Sequence, residues 1–466
     1  MGSTALWLAP AHANAQAATD SATTDADAVA LKDEVARLRA ELDMLKAEMR
    51  AMRGPQTAAP APANTLGDTA LAAAPPTSPT PAPAAKAAPD PVQISWKGAP
   101  EFKGSNGWSF KPRGRFQIDA GYLSAPSNRA SGQADGRGFT TRVRRAYIGM
   151  QGTMPGNLSY RAEVDLAGSS PTWTDLYLAY DRGPINITVG QHHPFTSLEQ
   201  IQSDLFLSFN ERASFIGAFN LERRVGISAG YNKGDIMINA GVFTDDIKAL
   251  TNDGNKTVSY DGRVVWMPKL GDTQLHIAGS AHYRDLGTFQ AMLGTQYRQR
   301  PYIGTTDIRY VDTGLLTVNS ETHFGAELAV NHKRFHFVSE GAWLKADRPG
   351  TATDPSFFGG YAEFGIFLTN DSRGYKNGTF ERTVPTNPLD KGGLGALEFN
   401  IRYDRLDLTS GTVGGGVQDA FGASFVWTPT AYVHFSAGYM HLIYNIPSAQ
   451  PKFTADSLGL RAQVDF

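Results

Sequence analysis

The sequence contains no cysteine and no long hydrophobic run. Without cysteine, the chain has no disulfide framework, no thiolate metal ligand and no thiol nucleophile. Nowhere do about 18 apolar residues follow one another, so no transmembrane helix is available. A strand that crosses a membrane needs only about 10 residues, with every second one apolar. The missing hydrophobic run therefore excludes transmembrane helices but does not exclude a β-structure that spans a membrane.

The chain also lacks an excess of charge of either sign. It has 43 lysines and arginines against 45 aspartates and glutamates, and a net charge of −2. That balance gives no indication of a nucleic-acid partner, which would favour a basic surface. The sequence has no Gly-x-Ser-x-Gly elbow, phosphate-binding loop or zinc signature. We therefore expect no enzyme, no cofactor and no bound metal.

The N terminus resembles part of an export signal. Residues 1–15 contain a short apolar run and end in Ala13-Asn14-Ala15, the small-x-small pattern of a signal-peptidase site. The basic segment that normally precedes the apolar run is missing. We interpret residues 1–15 as the remnant of a signal peptide, with cleavage before Gln16, and predict an exported protein.

Residues 26–53 carry an unbroken heptad pattern of apolar residues. The pattern alternates steps of three and four, at Ala28, Leu31, Val35, Leu38, Leu42, Leu45, Met49 and Met52. So narrow a seam is typical of a coiled coil rather than of a lone amphipathic helix packed on its own domain. A helix this short is marginal alone in water, so the pattern predicts self-association. Gly54-Pro55 ends it.

Two further zones follow the heptads. Residues 54–93 are rich in proline and alanine and predict an extended linker without a core. From residue 94 to Phe466, glycines and aromatics are frequent and apolar residues alternate with polar ones. The alternation predicts about 16 strands, near residues 110–123, 141–153, 158–166, 173–181, 184–192, 225–231, 235–244, 257–268, 273–286, 320–332, 333–346, 356–369, 394–408, 417–428, 431–446 and 458–466.

Several features favour a transmembrane antiparallel β-barrel over a soluble β-sandwich. Very short connections alternate with long ones, which is the asymmetry of outer-membrane barrels. The terminal Phe466 resembles the C-terminal aromatic by which barrel-insertion machinery recognises such proteins. Aromatic residues near strand ends would suit the girdles at the two membrane interfaces, namely Trp266, Tyr283, Trp343, Trp427, Tyr432 and Tyr444.

Charged residues on the polar faces of the strands also favour a membrane barrel. Arg161, Glu163 and Asp165 share one face of a predicted strand, as do Arg402 and Asp404. These charges would be costly in a dry core or against lipid, but not in a water-filled lumen. About 16 strands enclose an aqueous channel rather than a filled core. We therefore predict an all-β barrel domain over residues 94–466.

Three stretches resemble the phosphate-selective porin O and P family. Thr141-Arg142-Val143-Arg144-Arg145-Ala146-Tyr147-Ile148 is similar to its Phe-Arg-Arg-Ala-Tyr signature, and residues 114–119 are similar to its first barrel strand. Residues 189–224, with the pair Glu211-Arg212, resemble its long third loop. The resemblance covers about residues 108–466. It implies a trimer of 16-stranded barrels, each narrowed by an inward-folded loop at about residues 193–220, that conduct anions along arginines and lysines.

The resemblance also implies a set of pore-lining residues. Arg115, Arg144 and Arg145 match lumen-facing arginines, and Lys111 matches a basic residue near them. Asp175 and Ser208 match an acidic residue and a hydroxyl at the constriction. Arg298 and Arg300 match arginines that the family carries on a loop.

The third loop departs from the family pattern. Where phosphate-selective members place a lysine, this chain has Asp204 followed by Leu205. Losing a lysine and gaining a carboxylate shifts the local charge by two units. Charge-assisted donors are what hold a partly dehydrated phosphate. We therefore expect weaker phosphate selectivity.

In two places, two neighbouring residues of the same type would have to point their side chains to the same face of a strand to act together. Neighbours on a regular strand point to opposite faces, so Arg144 and Arg145 cannot both face the lumen unless one sits at a bulge or at the membrane interface. The same rule argues against a metal site at His192-His193.

The leading hypothesis is a passive porin for small solutes, anions such as phosphate among them. It would lie in the outer membrane of a Gram-negative bacterium, surrounded by lipid and assembled as a homotrimer, with the N-terminal segment in the periplasm. A second hypothesis is a structural tether, in which the coiled coil contacts peptidoglycan and the barrel only anchors. A third, an enzyme in a barrel scaffold, would need a serine or carboxylate constellation at the rim.

Overall fold

Sixteen long antiparallel strands form a closed barrel. The computed structural model describes residues 92–126, 137–449 and 451–466. We number the barrel strands in chain order: β1 Ser109–Leu123, β2 Gly138–Met154, β3 Leu158–Asp165, β4 Thr172–Arg182, β5 Ile185–His192, β6 Arg224–Lys233, β7 Ile236–Phe243, β8 Val258–Trp266, β9 Thr273–Asp285, β10 Ser320–His332, β11 Phe335–Asp347, β12 Ser356–Phe367, β13 Ala396–Ser410, β14 Val413–Thr430, β15 Val433–Asn445 and β16 Phe453–Asp465.

Pairing between the last strand and the first closes the sheet. β16 lies antiparallel to β1, with Leu460 opposite Ala120 and Gln463 opposite Gln117. The predicted barrel of about sixteen strands is confirmed. The signal remnant at 1–15, the coiled coil at 26–53 and all but the last two residues of the 54–93 linker lie outside the described residues.

The strands carry apolar residues outward and polar residues inward. On β16, Leu458, Leu460 and Val464 are exposed, whereas Arg461 and Gln463 are buried in the interior. A residue repeat of two places alternate side chains on opposite faces of a strand. The barrel therefore presents a greasy exterior around a polar interior, as a lipid environment requires.

Members of the predicted aromatic girdle differ in direction: Tyr432 packs against Arg382 at the turn end, its ring centroid 4.8 Å from the guanidinium, and Tyr444 faces inward. Trp266, Tyr283 and Trp343 are about half exposed on the outer face. Tyr444 is buried in the interior, where its ring packs 4.9 Å from that of Tyr310 and 5.0 Å from that of Phe453. The expectation for Tyr444 was wrong because it occupies an inward-facing position of β15.

A short hairpin precedes the barrel. Strands Gln93–Lys97 and Ala99–Lys103 pair with each other around Gly98, and Phe102 pairs with Phe110 at the start of β1. The barrel itself therefore begins at Ser109 rather than at residue 94.

The connections differ at the two ends of the barrel. One end, the loop end, has the long connections 124–137, 193–223, 244–257 and 286–319, and the other, the turn end, has 155–157, 183–184, 234–235 and 333–334. Two connections break the predicted asymmetry. The loop-end connection 411–412 is short, and residues 368–395 form a long turn-end connection, here called the turn-side insertion.

Two loops fold into the barrel from the loop end. The first inward loop, residues 193–223, contains α1 Leu198–Ile201 and α2 Ser214–Ala218. The second inward loop, residues 286–319, contains α3 Gly287–Leu293 and a hairpin of two short strands. No helix in the described part of the chain is long and apolar enough to span a membrane.

These loops fill one side of the lumen. Their apolar side chains pack against the inner faces of strands β10 to β16 and the end of β1, in a buried cluster that includes Leu198, Phe209, Phe215, Phe219, Tyr297, Tyr302, Ile303, Leu406, Leu442 and Tyr444. Burial of such large side chains holds the loops in place through the hydrophobic effect. The open route is thereby displaced towards the opposite wall.

Candidate functional site

A buried carboxylate on the barrel wall holds the start of the first inward loop. Glu340 on β11 accepts hydrogen bonds from the Ser197 hydroxyl at 2.7 Å and from the backbone N–H groups of Leu198 and Glu199 at 2.9 Å each. The first N–H groups of a helix have no partner within the helix. Glu340 supplies one for α1 and fixes where the loop enters the lumen.

A second anchor lies on the same side of the barrel, on β13, which is two strands along the sheet from β11. The Arg402 guanidinium donates to Glu199 at 2.5 Å and to Glu363 at 2.5 and 2.9 Å. Asp404, two residues further along the same face, accepts from the backbone N–H of Ser214 at 3.0 Å. Both ends of the loop are thus tied to the wall through charged groups.

Three cavities follow one another from the loop end to the turn end. An upper cavity of about 520 Å³ meets a narrow cavity of about 210 Å³, and a lower cavity of about 450 Å³ lies beyond it. The upper and narrow cavities share Arg145 and Asp204, and the narrow and lower cavities share Tyr177 and His192. The first inward loop borders all three, so it constricts the route.

Asp204 lies in the narrow cavity and contacts two arginines. Its carboxylate is buried, and it pairs with the guanidinium groups of Arg115 and Arg145. Burial opposes its ionisation, but the two arginines outweigh burial and hold the pKa of Asp204 well below its usual range. The carboxylate therefore occupies a position where a passing anion would meet these same two arginines.

A β-bulge lets both Arg144 and Arg145 face the lumen. Gln117 of β1 pairs with Arg145, but the next residue, Ile118, pairs with Val143, so Arg144 is the extra residue. A bulge adds one residue to a strand and re-aims its side chains. Arg144 donates to Glu211 of the first inward loop at 2.9 and 3.0 Å. Despite burial, Arg144 lowers the pKa of Glu211 to about 2.

A second bulge places Asp175 in the same region. Ala162 of β3 pairs with Leu176, whereas Val164 pairs with Trp173, so two residues of β4 oppose one residue of β3. Asp175 then faces inward and pairs with Arg161 at 3.1 Å and Arg223 at 2.7 Å. The narrow cavity thus contains two carboxylates, each held by two arginines.

The narrow cavity keeps an excess of positive charge. Two aspartates face five arginines in its lining, which comprises Arg115, Arg145, Arg161, Asp175, Arg212, Arg223 and Asp204 among others. Arg212 donates to the carbonyls of Glu199 and Gln202 at 2.8 Å each. No carboxylate of the described residues lies within 4.0 Å of its guanidinium nitrogens. Of the five arginines in this lining, Arg212 therefore has the charge that is least compensated by a direct ion pair.

The upper cavity contains the predicted loop arginines. Arg298 and Arg300 line it together with Arg309, all on the second inward loop. Arg300 donates to Asp307 at 2.7 Å, and hydrogen bonds from Arg300 and Arg142 lower the pKa of Asp307 to about 2. This group of arginines lies above the constriction, on the side from which an external solute would arrive.

Two predicted pore-lining residues lie outside the three cavities. Lys111 lies at the turn end, where its ammonium group donates to the carbonyl of Lys97 at 2.7 Å. Ser208 is buried between the first inward loop and the wall, where its carbonyl accepts from the Ser424 hydroxyl at 2.6 Å. Neither side chain lines the route. Their assignment depended on position in the family pattern, and the local packing turns them elsewhere.

Arg161, Arg212 and Arg223 line the constriction but were not among the predicted site residues. Arg161 lies on the polar face of β3, and this alternation was a usable signal in the sequence. Arg212 and Arg223 lie in an irregular loop, where no periodicity indicates direction. Only the folded loop brings them to Asp204 and Asp175.

The two adjacent histidines have different surroundings. His192 ends β5, and its ring contacts the carbonyl of Gly190 at 2.9 Å and the Ser228 hydroxyl at 2.8 Å. Burial and the charge of Arg223 lower the pKa of His193 well below its usual value. Within the parts of the chain that the structure describes, no group of three or more metal-ligating side chains is present.

A closed sixteen-stranded barrel with an apolar exterior and a charged, loop-constricted interior defines an outer-membrane channel for small solutes. Residues 110–466 match the family model described as "Phosphate-selective porin O and P". The chain belongs to this family. It is also 41% identical over 473 residues to an uncharacterized protein of Caulobacter vibrioides, with 98% of this chain and 94% of that protein covered.

Three solved structures resemble this chain at low sequence identity. An anion-selective porin from Comamonas acidovorans has 12% identity and a TM-score of 0.49, covering 76% of this chain and 99% of its own. OmpT of Vibrio cholerae has 11% identity and a TM-score of 0.48, covering 78% and 99%. OprB of Pseudomonas putida has 11% identity and a TM-score of 0.46, covering 78% and 94%. Identities this low say nothing about which solutes pass this chain.

Proposed function

We propose that the channel passes small anions in preference to cations and binds phosphate only weakly. The excess of arginine in the narrow cavity supports the anion preference, because an electrostatically positive constriction favours negative ions. Passage is passive, with no catalytic step and no cofactor.

The observation that carries the weak binding is the position of Asp204. Its carboxylate already takes up the charge of Arg115 and Arg145, the two arginines that it contacts. An incoming phosphate must compete with this carboxylate for the two arginines. The carboxylate has the advantage because it is covalently attached to the loop beside them. Family members with a lysine at this position would offer an extra donor instead.

The test is the substitution Asp204→Asn, measured by reversal potential and phosphate block in planar bilayers. We expect the wild-type channel to prefer chloride over potassium and to saturate with phosphate only at millimolar concentrations. Removing the carboxylate frees two guanidinium groups, so phosphate should bind about tenfold more tightly, which corresponds to about 1.4 kcal/mol.

Two controls accompany this test. Asp204→Glu keeps the charge and should resemble the wild type, and Asp253→Asn changes an exposed loop carboxylate outside the route. Saturation of the wild-type channel at micromolar phosphate, or an Asp204→Asn channel with unchanged phosphate block, would contradict the proposal.

We also propose a homotrimer with the N-terminal segment in the periplasm. The trimer is supported by the resemblance to the family. The periplasmic position is supported by the described chain, which enters β1 at the turn end. Short turns face the periplasm in outer-membrane barrels.

A further inference from the structure

The lower cavity differs in chemistry from the two cavities above it. Its volume of about 450 Å³ lies within the range of small-molecule sites, which is about 300–1,000 Å³. Neutral hydrogen-bonding side chains dominate its polar lining, namely Ser159, Asn186, Thr188, Asn239 and Asn377. The narrow cavity, by contrast, is lined by five arginines.

The two charged residues of the lower cavity do not make it attractive to a simple anion. Arg263 is fully buried and donates to Glu327 at 2.6 and 2.9 Å, so its charge is compensated. Asp181 is exposed and accepts from Asn186 at 2.7 Å and from Ser159 at 3.2 Å. An inorganic anion that leaves the arginines therefore finds no uncompensated positive charge here.

Some of the neutral groups have unused hydrogen-bonding capacity. The side-chain amide of Asn239 lines the cavity and makes no hydrogen bond to any of the described residues. Asn377, at the tip of the turn-side insertion, accepts from Asn232 at 3.2 Å, which leaves its amino group free to donate. An amide offers two donors and one carbonyl acceptor, so both residues can serve hydroxyl groups of a solute.

Aromatic rings complete the wall at the junction with the narrow cavity. Tyr177 and Phe195 line the lower cavity, and the His192 ring lies between them, 6.3 and 6.5 Å away by ring centroids. Aromatic faces beside a few placed polar groups are typical of sites for small organic molecules. An inorganic ion has no apolar surface that could pack against these rings.

From this juxtaposition we propose that the channel binds phosphorylated or carboxylated sugars. The anionic group of the solute lies among the arginines of the narrow cavity, and its hydroxylated body lies in the lower cavity against Asn239, Asn377 and Tyr177. This inference rests on the proposed anion preference and names the class of solute. The narrow cavity alone holds inorganic phosphate weakly, because phosphate has no hydroxylated body to fill the lower cavity. The lower cavity alone holds a neutral sugar weakly, because the sugar has no negative charge to place among the arginines.

The experiment compares block of the channel current by glucose 6-phosphate, inorganic phosphate and glucose in the same bilayers. We expect glucose 6-phosphate to bind about tenfold more tightly than phosphate, and glucose to bind least. Asn239→Ala should weaken glucose 6-phosphate about fivefold, the effect of one hydrogen bond, and leave phosphate unchanged. Asn239→Asp, which has nearly the same shape, should weaken it further by repelling the anion.

A matched control is Asn106→Ala, which removes an exposed asparagine outside the route and should change nothing. If chloride is preferred over potassium but glucose 6-phosphate binds no tighter than phosphate, the sugar inference is overturned and the anion preference stands. The same holds if Asn239→Ala weakens both solutes equally. A wild-type channel that prefers potassium overturns the anion preference, and the inference falls with it.

Discussion

At the scale of single residues, carboxylates paired with arginines determine the electrostatics of the constriction. Asp204, Asp175 and Glu211 each contact arginines on the wall or the inward loop. Removing one partner of a buried pair leaves the other charge uncompensated and costs about 3–5 kcal/mol. These pairs therefore keep both the loop and the local charge in place.

The pair of Arg144 and Glu211 predicts how selectivity depends on pH. The pKa of Glu211 falls from 4.5 to about 2, because Arg144 outweighs the effect of burial. The pair thus stabilises the fold above about pH 4.5, and this contribution is lost as the pH falls towards 2. We expect the reversal potential in a potassium chloride gradient to stay constant from pH 8 to pH 4.

The substitution Arg144→Gln tests the cause of this shift. Without the guanidinium, burial is opposed only by the more weakly acting Arg461 and Arg145, so the pKa of Glu211 should rise and anion preference should increase at a higher pH in the variant than in the wild type. Arg182→Gln, an exposed change at the turn end, serves as the control. A wild-type channel whose selectivity changes between pH 6 and 4 would show that the pairing does not hold Glu211 ionised.

At the scale of elements, irregular features position the site on a regular barrel. The bulge in β2 brings Arg144 inward, and the bulge in β4 brings Asp175 inward. The turn-side insertion enters from the opposite end, where Arg373 donates to the carbonyl of Phe206 at 3.0 Å. The first inward loop is therefore held both by the barrel wall and by the turn-side insertion.

The anchor at Glu340 gives a prediction at this scale. Glu340→Gln removes one carboxylate oxygen from the N terminus of α1, where three donors converge. A buried donor left without an acceptor costs about 1–3 kcal/mol. We expect the first inward loop to fluctuate more, seen as greater open-channel noise in single-channel recordings.

The control for the anchor is Glu381→Gln, an exposed glutamate on the turn-side insertion. It should leave the open-channel noise at the wild-type level. Equal noise in wild-type and Glu340→Gln channels would mean that the Arg402 contacts and the apolar cluster suffice to hold the loop.

At the scale of the whole molecule, pairing of the last strand with the first closes the barrel. β16 pairs with β1 along nine residue pairs, from Ser457 opposite Leu123 to Asp465 opposite Arg115. Closure leaves no unpaired edge among the sixteen described barrel strands, which a lipid environment demands. The three cavities lie inside this closed sheet, among residues of the barrel strands and their connections.

Deleting residues 16–92 separates the channel hypothesis from the tether hypothesis. We expect unchanged single-channel conductance, because the described residues that line the three cavities lie beyond this segment. If the coiled coil also contacts peptidoglycan, cells with the deletion should lose outer-membrane integrity, measured by sensitivity to detergent. Leu38→Asp, which breaks the heptad seam alone, tests whether self-association is what the cells require. Loss of conductance on deletion would contradict a self-sufficient channel.

Much of the fold could be predicted from local sequence. Alternation of apolar and polar residues identified the sixteen strands, because lipid and water on opposite faces of each strand impose a period of two. The resemblance to the family pointed to Arg115, Arg144, Arg145 and Asp175, all of which line the upper or narrow cavity.

The rest depends on contacts between residues far apart in the chain. Loops have no period, so the sequence alone did not reveal that Arg212 and Arg223 reach the constriction or that residues 368–395 enter from the turn end. Ser208 turned away because the loop packs that face against the wall. The sequence by itself determined a membrane barrel, since the surrounding solvent acts on every strand. Only the tertiary structure decided which charges meet in the channel, because ion pairs such as Asp204 with Arg115 form across 89 residues of chain.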